Sequence, residues 1–121
     1  MRPGPSAPAS LAGTSWRAFS VAGAAPVAGR EPTIAFTKDR ISGTTGCNQY
    51  FGGYTFNDGA IAFSPIGMTM MACDDAVGDV ESAFTKALGG ASEAAIDSQG
   101  RLILNGPDGS ISFDPVSTAG S

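Results

Sequence analysis

Two cysteines, a cluster of acids and the lack of any histidine bound the chemistry open to this 121-residue chain. Cys47 lies in Gly46-Cys47-Asn48-Gln49-Tyr50, and Cys73 closes Gly67-Met68-Thr69-Met70-Met71-Ala72-Cys73. Two thiolates alone do not complete a zinc tetrahedron, so no metal site is expected from them. Two outcomes remain: a disulfide between Cys47 and Cys73, which we expect, or two unpaired buried thiols. The missing histidine removes Ser-His-Asp and Cys-His nucleophilic systems, His-ligated metals and the commonest general base. Asp74, Asp75, Asp79 and Glu81 invite a calcium-site or carboxylate-pair reading, but their spacing does not follow the calcium-loop pattern. The start of a helix explains them better, with Asp74 or Asp75 as cap and Asp79 and Glu81 complementing the dipole. No Gly-x-Ser-x-Gly, Ser-x-x-Lys, phosphate loop or dinucleotide fingerprint occurs. The expectation is a protein with no catalytic activity, no cofactor and no metal.

Composition narrows the partner. The net charge is −4 and the sequence pI near 4.4, so the chain repels phosphate backbones and nucleic acid is not expected. There is no basic run to seek anionic lipid, and no apolar run long enough to span a membrane. The length fits one domain, which we expect to be monomeric. Residues 1–10 are Pro, Ala and Ser-rich and read as a flexible tail ahead of a domain over residues 11–115, with a second tail over 116–121. A small, acidic, disulfide-competent domain behind such a tail points outside the cytoplasm, with a signal or lipid anchor in the precursor.

The elements that must position these residues are mostly strands. Gly (17) and Pro (8) are spread along the chain at a density that suits frequent turns. Thr14 to Val21 has strand composition and carries Trp16. Thr33 to Thr37 alternates, with Ile34 and Phe36 inward, and Lys38-Asp39 turns into Arg40 to Gly43. Thr44 to Gly53 reads as a polar, Gly-rich loop. Tyr54-Thr55-Phe56 is a strand, Asn57-Asp58-Gly59 a hairpin turn and Ala60 to Phe63 the return. One helix is expected over Asp74 to Leu88, with an apolar stripe of Val77, Val80, Phe84, Ala87 and Leu88 and a stop at Gly89-Gly90. Three short strands follow, over Glu93–Asp97, Arg101–Leu104 and Ser110–Phe113, with Asp114-Pro115 stopping the sheet. The fold class is therefore α+β and β-rich: a compact antiparallel sheet or open barrel of about seven or eight strands with one helix packed on it.

Leu11-Ala12-Gly13-Thr14 with Trp16, Ile34-Ala35-Phe36, Ile41-Ser42-Gly43, the Gly46-to-Tyr54 block, the Met68-to-Cys73 block, Glu81 with Phe84, and Leu102-Ile103-Leu104 carry a resemblance. Over Leu11 to about Phe113 the chain resembles the META/HslJ-like domain family of small bacterial envelope and secreted proteins. The resemblance implies a sheet or barrel with one helix, a cysteine pair that often forms a disulfide, and no agreed reaction. It also implies loose links to envelope stress, motility or drug tolerance.

Asn48 and Thr69 are polar positions of the two family blocks. They suit a ligand-facing patch beside the cysteines, but a turn that uses asparagine to bond its own backbone is the stronger reading. Met68, Met70 and Met71 are likewise expected to fill gaps in the core more than to form a surface. The candidate interaction patch is Asn48, Tyr50, Met68, Thr69 and Met70. Its partner would be another protein or an envelope component. The competing function is a lipocalin-like small-ligand binder or a protease-inhibitor-type scaffold.

Overall fold

Alternation of apolar and polar residues lays down most of the strands. The computed structural model describes residues 11–116. It contains β1 (Ser15–Val21), β2 (Thr33–Phe36), β3 (Arg40–Thr44), β4 (Gln49–Asn57), β5 (Ala60–Phe63), β6 (Gly67–Met68), α1 (Asp75–Gly89), β7 (Glu93–Ile96), β8 (Leu102–Gly106) and β9 (Gly109–Pro115). Trp16 and Ala18, Ile34 and Phe36, and Tyr50 and Tyr54 turn inward at every second position. The β4–β5 hairpin turns at Asp58 (φ 51°) and Gly59 (φ 85°), the positive-φ pair that a primed turn requires.

Every pairing is antiparallel. The order β3-β2-β1-β9-β8-β7-β5-β4, with β3 also paired to β4, closes eight strands into a barrel. β6 lies outside that ring as a ninth strand on β4. The β-rich α+β class and the single helix follow the sequence reading, but the barrel is closed rather than open. Closure satisfies the edges of the eight strands, which an open sheet would leave to other chains.

Two expected boundaries are corrected. The polar stretch Gln49–Gly53 is the first half of β4 and not a loop, paired to β3 from Arg40↔Gly53 to Thr44↔Gln49. Its glycines permit close packing: a Cβ on Gly52 would stand 3.0 Å from Cγ2 of Ile66. Nor does Asp114-Pro115 stop the sheet, because β9 runs to Pro115, opposite Trp16, and Val116 still donates its N–H to Ser15. Proline is tolerated at such a strand end, where its missing N–H breaks no inner rung. Of the tails expected at 1–10 and 116–121, residues 1–10 and 117–121 lie outside the described residues, and Val116 is bonded to β1.

The helix buries Val77, Phe84, Ala87 and Leu88, with Val80 packed against the core. It touches β1, β5, β8 and β9, which stand on different parts of the ring, so it lies across one end of the barrel. Phe84 is fully buried there, edge-on to Tyr50 of β4 (ring centroids 5.7 Å) and to Phe113 of β9 (6.5 Å). Asp74 stands at the N-cap position but makes no side-chain cap bond, contrary to the capping role expected of it.

Candidate interaction site

The β3–β4 turn is built by its own side chains. Thr45 N–H donates to the Asn48 carbonyl (2.8 Å), and the Thr45 hydroxyl oxygen accepts from the Asn48 N–H (2.9 Å). Gly46 adopts φ 98°, a conformation that glycine enters without strain, and any Cβ there would collide with the Arg30 carbonyl. This turn delivers Cys47 and Asn48 to the start of α1 and to the segment after β6.

Asn48 is the centre of the arrangement. It is only 2% exposed, so each polar atom of its amide must find a partner. Nδ2 donates to Oε2 of Glu81 (2.8 Å) and to the Met71 carbonyl (3.2 Å). Oδ1 accepts from the Met71 N–H (2.6 Å) and from the Thr69 hydroxyl (2.9 Å). Two donors and two lone pairs are all the amide has, and all four are used. The pair of bonds to Met71 copies a rung of a β-ladder, with a side chain in place of a backbone.

Glu81 completes the buried network. Its Oε2 accepts from the Thr45 hydroxyl (2.7 Å) as well as from Asn48. Such charge-assisted bonds to a carboxylate are about twice as strong as neutral ones. Glu81 was expected to complement the helix dipole; instead it turns into the molecule and fastens the helix to the β3–β4 turn.

Cys47 and Cys73 are joined as a disulfide, with their Cα atoms 6.0 Å apart. The expected pairing is therefore present. Residues 69–73 are thus held at three points, by the Thr69–Gln49 main-chain bond, by Asn48 on Met71 and by the disulfide. The side chains of this tethered segment nevertheless point to solvent: Met70 is 86% exposed and Met71 61%. Both were expected to fill gaps in the core; only Met68 packs against it. Phe51, 56% exposed, adds a third apolar group on β4, in register with Gly67 of β6.

The sequence-predicted patch thus divides in two. Asn48 and Tyr50 are buried supports and offer no surface. The Tyr50 hydroxyl donates to the Thr33 carbonyl (2.5 Å), and burial pushes its pKa well above the usual phenol range. Met68 is half-buried, while Thr69 and Met70 face outward. The residues missed were Thr45, Phe51 and Glu81. Phe51 had a signal, since it alternates with inward Tyr50 and must point out of the barrel. Glu81 stood out among the helix acids and the residues of the family resemblance, but nothing local tied it to Asn48, 33 residues away.

A family model of the META domain matches residues 9–116. The chain belongs to the META domain family. A protein from Burkholderia xenovorans, solved by NMR, is similar at 31% identity with a TM-score of 0.77, covering 98% of this chain and 94% of that one. A second NMR structure shares the fold at 21% identity and a TM-score of 0.71, covering 86% and 90%. No curated protein matches the chain at a significant level. This META domain has no helix among its described residues long and apolar enough to cross a membrane.

Proposed function

We propose that this META domain is a non-catalytic binding module of the cell envelope or extracellular space, whose contact surface is the tethered segment carrying Met70 and Met71, with Phe51 beside it. The observation that carries this reading is the mismatch between backbone and side chains. A buried asparagine, a helix carboxylate and a disulfide hold residues 69–73, while Met70 and Met71 of that segment stay 86% and 61% exposed. Ordering a loop costs conformational entropy, about 1–2 kcal/mol per residue, and contact with a partner would offset it. Preordered apolar side chains bind with less entropy left to lose. Methionine suits such a surface because its thioether adapts to irregular contacts.

A non-catalytic role is supported by the absence of histidine and by the engagement of both cysteines in the disulfide. The disulfide and the family support residence in an oxidising compartment, with envelope stress as the biological setting. The lipocalin-like alternative needs an open interior, and here Trp16, Ile34, Phe36, Phe84 and Phe113 fill the barrel.

The test is photo-crosslinking. A photoreactive residue at position 70, in the disulfide-intact protein, is compared with the same residue at exposed Lys38 on the β2–β3 turn. A saturable envelope adduct from position 70, competed by unlabelled wild type but not by Met70→Asp/Met71→Asp, is the expected result. Equal labelling from both positions would refute the proposal.

A further inference from the structure

We propose that the outer edge of β6 and the segment after it takes an extended peptide as an added strand, which deepens, and rests on, the binding role given to this loop. The register sets the direction of each backbone group. Thr69 N–H donates to the Gln49 carbonyl, so Thr69, and Gly67 opposite Phe51, turn their main-chain groups toward β4. Met71, two residues on, turns its N–H and carbonyl toward the Asn48 amide. Residues 67, 69 and 71 therefore face one way, and alternation turns the N–H and carbonyl of Met68 and Met70 the other way. Tyr50, the register partner of Met68, cannot serve them, because its own main-chain groups face Gly43 across β3. Among the described residues, β4 is the only strand paired with β6.

The edge therefore offers outward donors and acceptors at alternate residues, the spacing that an incoming strand requires. Barrel closure leaves β6 outside the ring, and the Asn48 rung carries its extended course as far as Met71. Lysine and proline commonly guard an uncovered strand edge, and Gly67 to Met71 contains neither; the shortness of β6, two residues, is the one guard this edge has.

The flanking chemistry selects the occupant. Asp74, Asp75 and Asp79 are exposed just beyond the edge, in a chain of net charge −4. The fitting partner is an extended protein segment with apolar side chains at alternate positions, for Met70 and its neighbours, and a lysine or arginine at the end that lies by the acids. A second copy pairing edge to edge brings no lysine or arginine to these acids, since Gly67 to Met71 carries none, so it fits less well.

The probe is a seven-residue peptide alternating valine and threonine between terminal lysines, titrated into the isotope-labelled, disulfide-intact protein. We expect saturable amide shifts and slowed exchange at Met68 and Met70. Alternate backbone N-methylation of the peptide should weaken binding by at least about tenfold, the loss of one or two hydrogen bonds. Met70→Pro removes an outward N–H in a residue that is 86% exposed and should weaken binding well beyond Met70→Ala, which removes the same side-chain contact but keeps that N–H. If Met70→Pro does not fold, the N-methylated peptide carries the comparison.

Binding indifferent to N-methylation would overturn strand addition yet leave a side-chain surface at Met70 and Met71 standing. Absence of binding, shifts confined to other strands, or a concentration-dependent dimer through Met68 would overturn it as well. The crosslinking experiment decides the broader binding role separately.

Discussion

Replacing Asn48 by alanine perturbs the network at its centre. The substitution deletes the four hydrogen bonds to Thr69, Met71 and Glu81, with the longer Nδ2 contact to Cys47 Sγ, and leaves the Met71 N–H and carbonyl without the rung that held them. A typical bond contributes about 1 kcal/mol net, and one to a charged group about 1.5–3. Water can reach Thr69 and Met71 once the amide is gone, which recovers part of the loss. The expected cost is about 3 kcal/mol, large against the roughly 5–15 kcal/mol of a whole domain. For a domain of this size that is a fall of roughly 10 °C in melting temperature. Urea unfolding gives the free energy, and hydrogen exchange at the Met71 amide gives the local loss. A second variant isolates the charge. Asn48→Asp keeps acceptors for Met71 and Thr69 but sets a carboxylate against Glu81, so it should destabilise at least as much at pH 7. Adding Glu81→Gln restores a donor opposite the new carboxylate and should recover part of that loss. A change in Asn48→Ala below about 0.5 kcal/mol, with Met71 exchange unaltered, would refute the reasoning.

Removing the disulfide with Cys47→Ala/Cys73→Ala frees a loop spanning 26 positions and should cost about 3.5 kcal/mol by the chain-entropy argument, read as a lower urea midpoint. Phe84→Ala empties the contact among Tyr50, Phe84 and Phe113 and should cost about 3–5 kcal/mol; a melting temperature close to wild type would show that the helix does not pack there. Burial raises the Tyr50 pKa, so the folded state holds that proton more tightly than the unfolded chain does. Its stabilising contribution is complete below the unfolded phenol value of about 10 and declines as pH rises beyond it. The alkaline fall in urea midpoint should therefore be shallower in Tyr50→Phe, relative to that variant's neutral value.

Much of the fold was legible because it rests on local pattern. Ile34 and Phe36 alternate, Asp58-Gly59 supplies the primed turn, and the Val77-to-Leu88 stripe marks the buried helix face. What escaped depends on residues far apart in the chain. Gln49–Gly53 reads as a loop because Gly52 and Gly53 have poor strand propensity, and only the packing of Ile66 over Gly52 explains the glycine. Closure of the barrel requires β1 to meet β9, a pairing between the two ends of the domain that no local signal announces. The cysteines were read as a pair and are bonded, but Asn48, read as a turn residue bonding its own backbone, sends its amide to Thr69, Met71 and Glu81, all more than twenty residues on. Glu81 was assigned to the dipole because its partners, Thr45 and Asn48, are more than thirty residues away.

The chain holds residues 69–73 in place while presenting Met70 and Met71 to solvent. Backbone amide order parameters for Thr69 to Ala72 in the oxidised protein test it most directly. Values near the rigid level of about 0.85 are expected, with fast methyl motion confined to the side chains of Met70 and Met71. Order parameters below about 0.6 across the segment, with the disulfide intact, would contradict it.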